Sequence, residues 1–490
     1  MNICAIGGNW LNHAMDTPAL RRLLLLSVLL LIAVASGQGA ERQLRAGAAA
    51  SNISPRLGLS INGGFADHRA TNIHDELHAR CLVLDNGETR LGIVVVDSCM
   101  VLREIFDSAK RMIQTETGLP ADHLLMSATH THSAPAASSI FQSDADPQYQ
   151  QFLARRIADG VRRAIANIAP ARISWGIGNV PGQVFNRRWK MKPGTIPPNP
   201  FGGTNDQVKM NPGMADPNLT EPAGPTDPQV CFISVQRTNG QPLALLANYS
   251  LHYCGGIGSG VISADYYGAF ADRVQELLGA DRLDPPFVAM MSNGTSGNIN
   301  NVDFRGGQPK QPPFAQMRIV ANDVASEVVR VCETLAYQNW VPLAAKQTEL
   351  RLAVRHPTRD EIDRAKGIVA AAKAPQMRTP EEVYARETLL MQDYPSHVQS
   401  LLQALRIGDL GIAAIPCEVF VEIGLLIKQN SPLKPSFTIS LANGYNGYLP
   451  TVEHHKLGGY ETWRARSSYL EVDAAPKIYT AIMGLLSDLR

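Results

Sequence analysis

Continuous apolar runs and helical periodicities alternate along most of this chain. "HARCLVLDNGETRLGIVVVDSCMV" holds two β-rich runs joined by Asp85-Asn86-Gly87, a turn that specifies a hairpin. "REIFDSAKRMIQTETG" carries helical spacing and stops on Gly118, and "LPADHLLMSATHTH" reads as a short strand running into a polar loop. A helix from Asp146 to Asn167 and the strand "ARISWGIGNV" come next. A second hairpin, "VCFISVQRTNGQPLALLANYSLH", again turns on Asn-Gly. It leads to a helix over Tyr267 to Leu278, the strand "PFVAMMSNGTSGNIN" and a long helix over Phe314 to Tyr337.

The stretch Thr358 to Leu405 reads as charged, outward-facing helix. "LRIGDLGIAAIPCEVFVEIGLLIK" then returns to hairpin, loop and helix, and the chain closes with "ISLANGYNGYLPT" and an amphipathic helix. "RAGAAASNISP" is an entry strand. Residues 190–229 are crowded with Pro, Gly, Asn and Asp, the composition of a lid or a disordered segment. Neither an internal repeat nor a linker is visible. The expectation is one large α/β domain over 41–490, a mixed β-sheet core flanked by helices in layers.

Charge adds an exclusion. Forty-five lysines and arginines nearly cancel 44 aspartates and glutamates, so no field favours nucleic acid or anionic membranes. The N-terminus, "RRLLLLSVLLLIAVASGQGA", places Arg21 and Arg22 before an apolar stretch from Leu23 to Ala35 and then small residues. That is the order of a secretory signal within a leader spanning 1–40, cleaved near Ala35 to Ala40, and it predicts export to a periplasmic or extracellular space. An uncleaved membrane anchor is the alternative. Beyond the leader the cysteines lack CxxC spacing and read mainly as buried single thiols, with one or two disulfides open; a thiolate metal site is not expected.

Candidate chemistry gathers where strands end. In "SATHTHSAPAA", His130 and His132 stand one residue apart, and strand alternation would point them to the same side. By itself the pair reads either as metal ligands or as two residues satisfying loop backbone. "LLANYSLHYCGG" delivers His252 into a glycine-rich loop; in "AAIPCEVF", Glu418 opens a helix, where a carboxylate also suits the helix N-terminus. Glu422, one turn on, reads as an ordinary helix residue. Tyr445 and Tyr448 lie in the loop "NGYNGYLP" as packing or hydrogen-bonding residues, and Ser296 in "SNGTSGNIN" lacks the full nucleophile-elbow pattern. Asp97, closing "IVVVD", is a candidate to support a histidine from behind.

Taken in order, these pieces resemble the neutral ceramidase family, zinc-dependent amidases that cleave the N-acyl bond of ceramide. The likeness rests on Thr129 to Ser133, His252, "NGTSGN", "PCEVF" and Tyr445 through Tyr448, and runs from about Ala46 almost to the C-terminus. It implies one zinc ion held by His130, His252, Glu418 and Tyr448. It makes His132 the catalytic partner, with Ser296 positioning reacting groups and Arg187 and Tyr460 stabilising charge. It also implies a small-molecule or lipid N-acyl substrate, with peripheral membrane contact an option. "SAPAA", Asn293-Gly294 and His454-His455 depart from the family pattern, and its C-terminal immunoglobulin-like domain is expected to be absent. A different amide or ester substrate and a non-catalytic zinc-binding homologue are the alternative readings.

Overall fold

In the computed structural model, which describes residues 42–490, the apolar runs become strands buried on both faces. The chain enters on β1 (Arg45–Asn52), then forms the hairpin β2 (His78–Asp85) and β3 (Arg90–Val96), helix α1 (Arg103–Thr117) and strand β4 (Leu124–Ala128). Helix α2 (Pro147–Ala166) and β5 (Ala169–Asn179) precede a small sheet of β6 (Arg188–Met191), β7 (Val208–Met210) and β8 (Leu219–Pro222). The hairpin β9 (Gln229–Arg237) and β10 (Pro242–Tyr249), helix α3 (Asp265–Leu277), strand β11 (Val288–Asn293) and helix α4 (Ala315–Cys332) follow. The last third holds β12 (Leu343–Ala353), α5 (Arg359–Ala371), α6 (Pro380–Leu390) and the hairpin β13 (His397–Ile407) and β14 (Leu410–Ala414). It continues through β15 (Glu418–Val419), α7 (Val421–Asn430), β16 (Ser436–Ile439), β17 (Tyr448–Leu449), the short α8 (Val452–Leu457) and α9 (Ala474–Asp488).

Eight strands form the main sheet in the order β11-β10-β9-β5-β1-β2-β3-β4, antiparallel except for the parallel edge pairs β10–β11 and β3–β4. Four strands, β12-β13-β14-β16, form a second sheet with β14 and β16 parallel. Leu82, Ile93, Leu125, Ile233 and Met290 of the first sheet share one core with Leu405, Ile412 and Phe437 of the second. On the outer faces, Val83, Val94 and Met126 pack on α1 and α2, and Phe232, Leu245 and Ala247 on α3 and α4. Leu402 and Ala413 of the second sheet pack on α7 and α9. The layers run helix, sheet, sheet, helix. Burial on both faces is why "CLVL" and "IVVV" read as unbroken apolar runs rather than alternations.

The expected mixed sheet with flanking helices is present, and the second sheet is an addition to it. Its outer strand β12 carries half-exposed or exposed Lys346, Gln347, Glu349 and Arg351, so it shows no apolar run. Residues 397–405, read as helix, belong to β13, whose Ser400 to Leu405 are buried, paired with β12 throughout and with β14 from Gln403 on. The polar stretch 190–229 is tied down by β7 and β8, which pair with β6, and by Trp189, Met191 and Phe304 in a small core of their own. Helix termini follow the sequence signals: Gly118 takes the left-handed conformation after α1, and the Asp146 side chain accepts from Tyr149 N at the start of α2. Cys81, Cys99, Cys231, Cys254, Cys332 and Cys417 are all unpaired thiols. The leader at 1–40 lies outside the described residues. Among the described residues no helix is long and apolar enough to cross a membrane.

Three times the chain repeats hairpin, helix, parallel strand: β2-β3-α1-β4, β9-β10-α3-β11 and β13-β14-α7-β16. Their last strands end side by side. Asn443 N donates to Met126 O at 2.6 Å, Ser440 N to Asn293 O at 3.0 Å, and Asn293 Nδ2 to Thr129 O at 3.0 Å.

Close backbone packing at β1 makes a direct test. A Cβ at Gly47 would collide with Ala164 O and sit 2.8 Å from Ile168 N, main-chain atoms at the end of α2 that cannot rotate away. Gly47→Ala is expected to lower unfolding stability by about 1–3 kcal/mol, the usual cost of overpacking, read as a lower urea midpoint at unchanged slope.

Candidate metal centre

Four strand ends deliver the site. The segment after β4 carries His130 and His132, that after β10 carries His252, that after β11 carries Ser296, and Glu418 opens β15, whose parallel partner in register is Tyr448. His130 itself lies past the strand at φ 80°, in the left-handed region that side chains other than glycine rarely enter. It is held there by His130 N donating to Ser98 O at 2.8 Å. That kink, rather than strand alternation, turns both histidines toward one point.

Hydrogen bonds settle the tautomers. A backbone carbonyl only accepts, so His130 Nδ1, 2.7 Å from Cys99 O, carries its proton, as does His252 Nδ1, 3.0 Å from Ser296 O. In the neutral rings each Nε2 is therefore left with a lone pair, and the two Nε2 atoms face one another at 2.9 Å. Glu418 Oε2 lies 3.2 Å from His130 Nε2 and 3.9 Å from His252 Nε2, buried and without a hydrogen-bond donor. Its other oxygen accepts from the Tyr445 hydroxyl at 2.9 Å. Three lone-pair donors aimed at one another in a dry site repel until a cation joins them. Their separations are those of atoms sharing one tetrahedral ion, about 3.3 Å apart for ligand distances near 2 Å. His130, His252 and Glu418 thus form a group that could hold a metal ion.

Electrostatics agree with the crowding. Burial depresses protonation of His130, yet Glu418 beside it holds the pKa up at about 10: the point wants a cation, and without a metal ion a proton on His130 Nε2 supplies it. His132 and His252 are pushed well below the usual histidine value by burial and by the neighbouring His130 and Arg187 charges. Burial raises the Glu418 carboxyl, but His130 and Arg187 outweigh it and bring the pKa below the usual value.

The remaining predicted residues sort by distance. His132 Nε2 stands 3.2 Å from His130 Nε2, with the rings perpendicular. Tyr448 accepts at its hydroxyl from Arg187 Nη2 at 3.1 Å and lies against Glu418. Arg187 reaches the centre directly, Nη1 lying 3.3 Å from His252 Nε2, while its Nη2 also donates to Gly297 O. The Tyr460 ring packs edge-on to Tyr448, with centroids 5.8 Å apart. Ser296 sits behind His252 rather than before it: its carbonyl orients the imidazole, and its hydroxyl donates to Asn293 Oδ1 at 2.7 Å.

Several functional neighbours left no pattern in the sequence. Glu461, fully buried, takes Arg187 on one oxygen at 3.1 Å and Arg188 on the other at 2.6 Å, neutralising cations that would otherwise oppose a metal. Glu422 is not an ordinary helix residue. It accepts from Asn298 Nδ2 on both oxygens and meets His454 Nε2 at 3.0 Å, bracing the segment that carries Ser296. Asp97 takes no site histidine; its carboxylate binds Arg80 and His78 N. Cys99 acts through its backbone oxygen, which residue type does not reveal.

A layered α/β domain with a buried His/His/Glu group at its strand ends is therefore the class defined here. No protein-family model matches the sequence. The chain is similar to the neutral ceramidase of Mycobacterium tuberculosis (strain ATCC 25618 / H37Rv), 26% identical over 136 residues, 25% of this chain and 21% of that protein. It is also similar to neutral ceramidase A of Dictyostelium discoideum, 25% identical over 244 residues, 46% of this chain and 31% of that one. The matched segments thus span less than a third of these curated relatives. The crystal structure of neutral ceramidase from Pseudomonas aeruginosa shares the fold, with a TM-score of 0.69 at 17% identity over 92% of this chain and 75% of that one. A ceramidase complexed with C2 superposes equally well, TM-score 0.69 at 16% identity, covering 92% and 76%. Over these segments the chain resembles neutral ceramidases in sequence, and over most of its length it shares the fold of the solved ones.

Tyr445→Phe removes the hydroxyl that holds Glu418 Oε1. Divalent-metal affinity, measured by chelator competition, is expected to fall about 10-fold or more with little change in thermal stability.

Proposed function

We propose that the protein is an exported zinc-dependent amidase that cleaves the N-acyl bond of ceramide or a related N-acyl lipid. The observation carrying this reading is the meeting of the His130 and His252 Nε2 lone pairs with Glu418 Oε2 in one buried point. His130, His252, Glu418 and Tyr448 would hold a single zinc ion. An all-nitrogen and oxygen donor set without thiolate suits zinc in a catalytic role. When bound, the ion supplies Lewis acidity that polarises the acyl carbonyl and makes water nucleophilic at neutral pH.

The chain's own residues do the rest. His132 Nε2, beside the ligand cluster yet outside the His/His/Glu group, takes up a proton from the attacking water and returns it to the leaving amine nitrogen. Arg187 keeps a positive charge against the centre, because Tyr448 and Glu461 outweigh the burial that opposes it. With Tyr460 it stabilises negative charge developing on the acyl oxygen. Ser296 keeps the His252 imidazole in the tautomer that presents Nε2. The leader's basic residues, apolar stretch and small residues support export; N-terminal sequencing of the mature protein should begin within or just after Ala35 to Ala40.

The test is a substrate panel of N-acylsphingosines, short N-acyl amides and esters, run before and after chelation. Hydrolysis of N-acylsphingosine that is lost on chelation and restored by zinc is the expected result. His130→Ala should lose both zinc and turnover. His132→Gln should keep stoichiometric zinc while kcat falls about 10²- to 10⁴-fold. Stoichiometric zinc with no hydrolysis across the panel would sink the enzymatic reading, and turnover of esters or short amides alone would move it to another substrate.

A further inference from the structure

The residue after His252 is a tyrosine, and its ring lies flat on His132. The Tyr253 and His132 centroids are 3.7 Å apart with planes 17° from parallel, whereas the other ring contacts of His132, with His130 and His252, are edge-on. Gly63 crowds the Cγ–Nδ1 side of the imidazole: a Cβ there would overlap the ring, and Gly63 accepts a hydrogen bond from it. His132 is thus held by an aromatic plane on one face and by bare backbone at its Cγ–Nδ1 side. An imidazole so clamped cannot flip about its Cβ–Cγ axis, and its Nε2 stays aimed at His130 Nε2, 3.2 Å away.

Tyr253 needs an anchor of its own, since the chain runs straight into Cys254, Gly255 and Gly256, and both glycines have φ near 70°. Asp265 provides it. Cys254 N and Gly255 N donate to its two carboxylate oxygens at 3.1 and 3.0 Å, and Tyr266 N donates as well. An aspartate at the start of α3 could serve only its own helix. Here the carboxylate reaches back across the loop, and the residue adopts φ 56° in a buried setting to do so. Strain accepted at a residue that fixes the loop after a site histidine is not accounted for by capping.

We propose that Tyr253, anchored through Asp265, is the positioning residue that sets the His132 imidazole for proton transfer. The catalytic half of this statement rests on the amidase reading above; the ring clamp itself does not. Loss of the clamp lowers kcat and leaves the zinc ligands in place, because His252, the one ligand whose ring touches Tyr253, is held independently by Ser296 O.

Two measurements separate the clamp from the activity. The first is the ring resonance of His132 in protein carrying ¹³C-labelled histidine, assigned by its disappearance in His132→Gln. The Tyr253 ring current should shift it, Tyr253→Leu should remove that shift, Tyr253→Phe should restore it, and Asp265→Asn should reduce it. The second is steady-state kinetics on whichever N-acyl substrate is turned over. Tyr253→Leu should cut kcat about tenfold at nearly constant KM and full zinc content, with Phe restoring it. Tyr253→Leu and Asp265→Asn should combine less than additively. An unchanged His132 resonance in Tyr253→Leu would overturn the proposal. So would a kcat loss explained by lost zinc or a lowered melting temperature, which would make the tyrosine a general packing residue. Absence of turnover by the wild-type protein would count against the amidase reading alone, and the resonance would still decide the clamp.

Discussion

Lone pairs converging on one buried point that wants a cation are the constraint around which this protein is organised. Two imidazole nitrogens and a carboxylate oxygen converge in a buried site, a repulsive arrangement that a cation turns into a stabilising one. The surroundings keep it convergent. Cys99 O and Ser296 O take the Nδ1 protons, Tyr445 holds one carboxylate oxygen, and the backbone at His130 stays in the left-handed region. Arg187 and Arg188 would make the pocket too positive without Glu461, which binds both.

The fold explains how such a point is reached from distant parts of the chain. Each hairpin–helix–strand unit buries its apolar strand between layers and releases the chain, at the carboxyl end of that strand, into a polar loop. Lateral bonds among the ends of β4, β11 and β16 bring those three loops to one rim. Apolar burial and chemistry are thus divided along each strand. The interior residues stabilise the sandwich, and the buried polar residues just past the last apolar strand position form the candidate metal centre. Tyr253 and Asp265 extend this logic from placing the ligands to holding the neighbouring imidazole at one angle.

Much of this was legible in the residues themselves. Asn-Gly turns marked two hairpins, and capping and periodicity placed α1, α2 and α4 within a few residues of their observed ends. Where one pattern was missing the reading failed. β12 faces solvent along much of its length and offers no apolar run, and β13 begins on the largely polar stretch His397 to Gln399, so that Pro395 marks a helix end without announcing a strand. The polar residues of 190–229 suggested open loop, yet two short strands there pair with β6 through backbone groups that composition does not report. Glu422 and Glu461 look like any helix or turn carboxylate until Asn298, 124 residues from Glu422, and Arg187, 274 residues from Glu461, come into contact.

By itself, then, the sequence determined which donor types stand at the ends of which apolar strands: His130, His132, His252, Glu418 and Tyr448, in that order. It determined the alternation of strand and helix that stacks those strands in layers. Tertiary structure alone decided which atom of each residue faces the centre, that Ser296 works from behind His252, and that a buried carboxylate balances two arginines. The reason is separation. His130 and His252 lie 122 positions apart, and only the convergence of the two edges of the main sheet, where Asn293 Nδ2 donates to Thr129 O, brings their nitrogens to 2.9 Å, where direction and charge begin to matter.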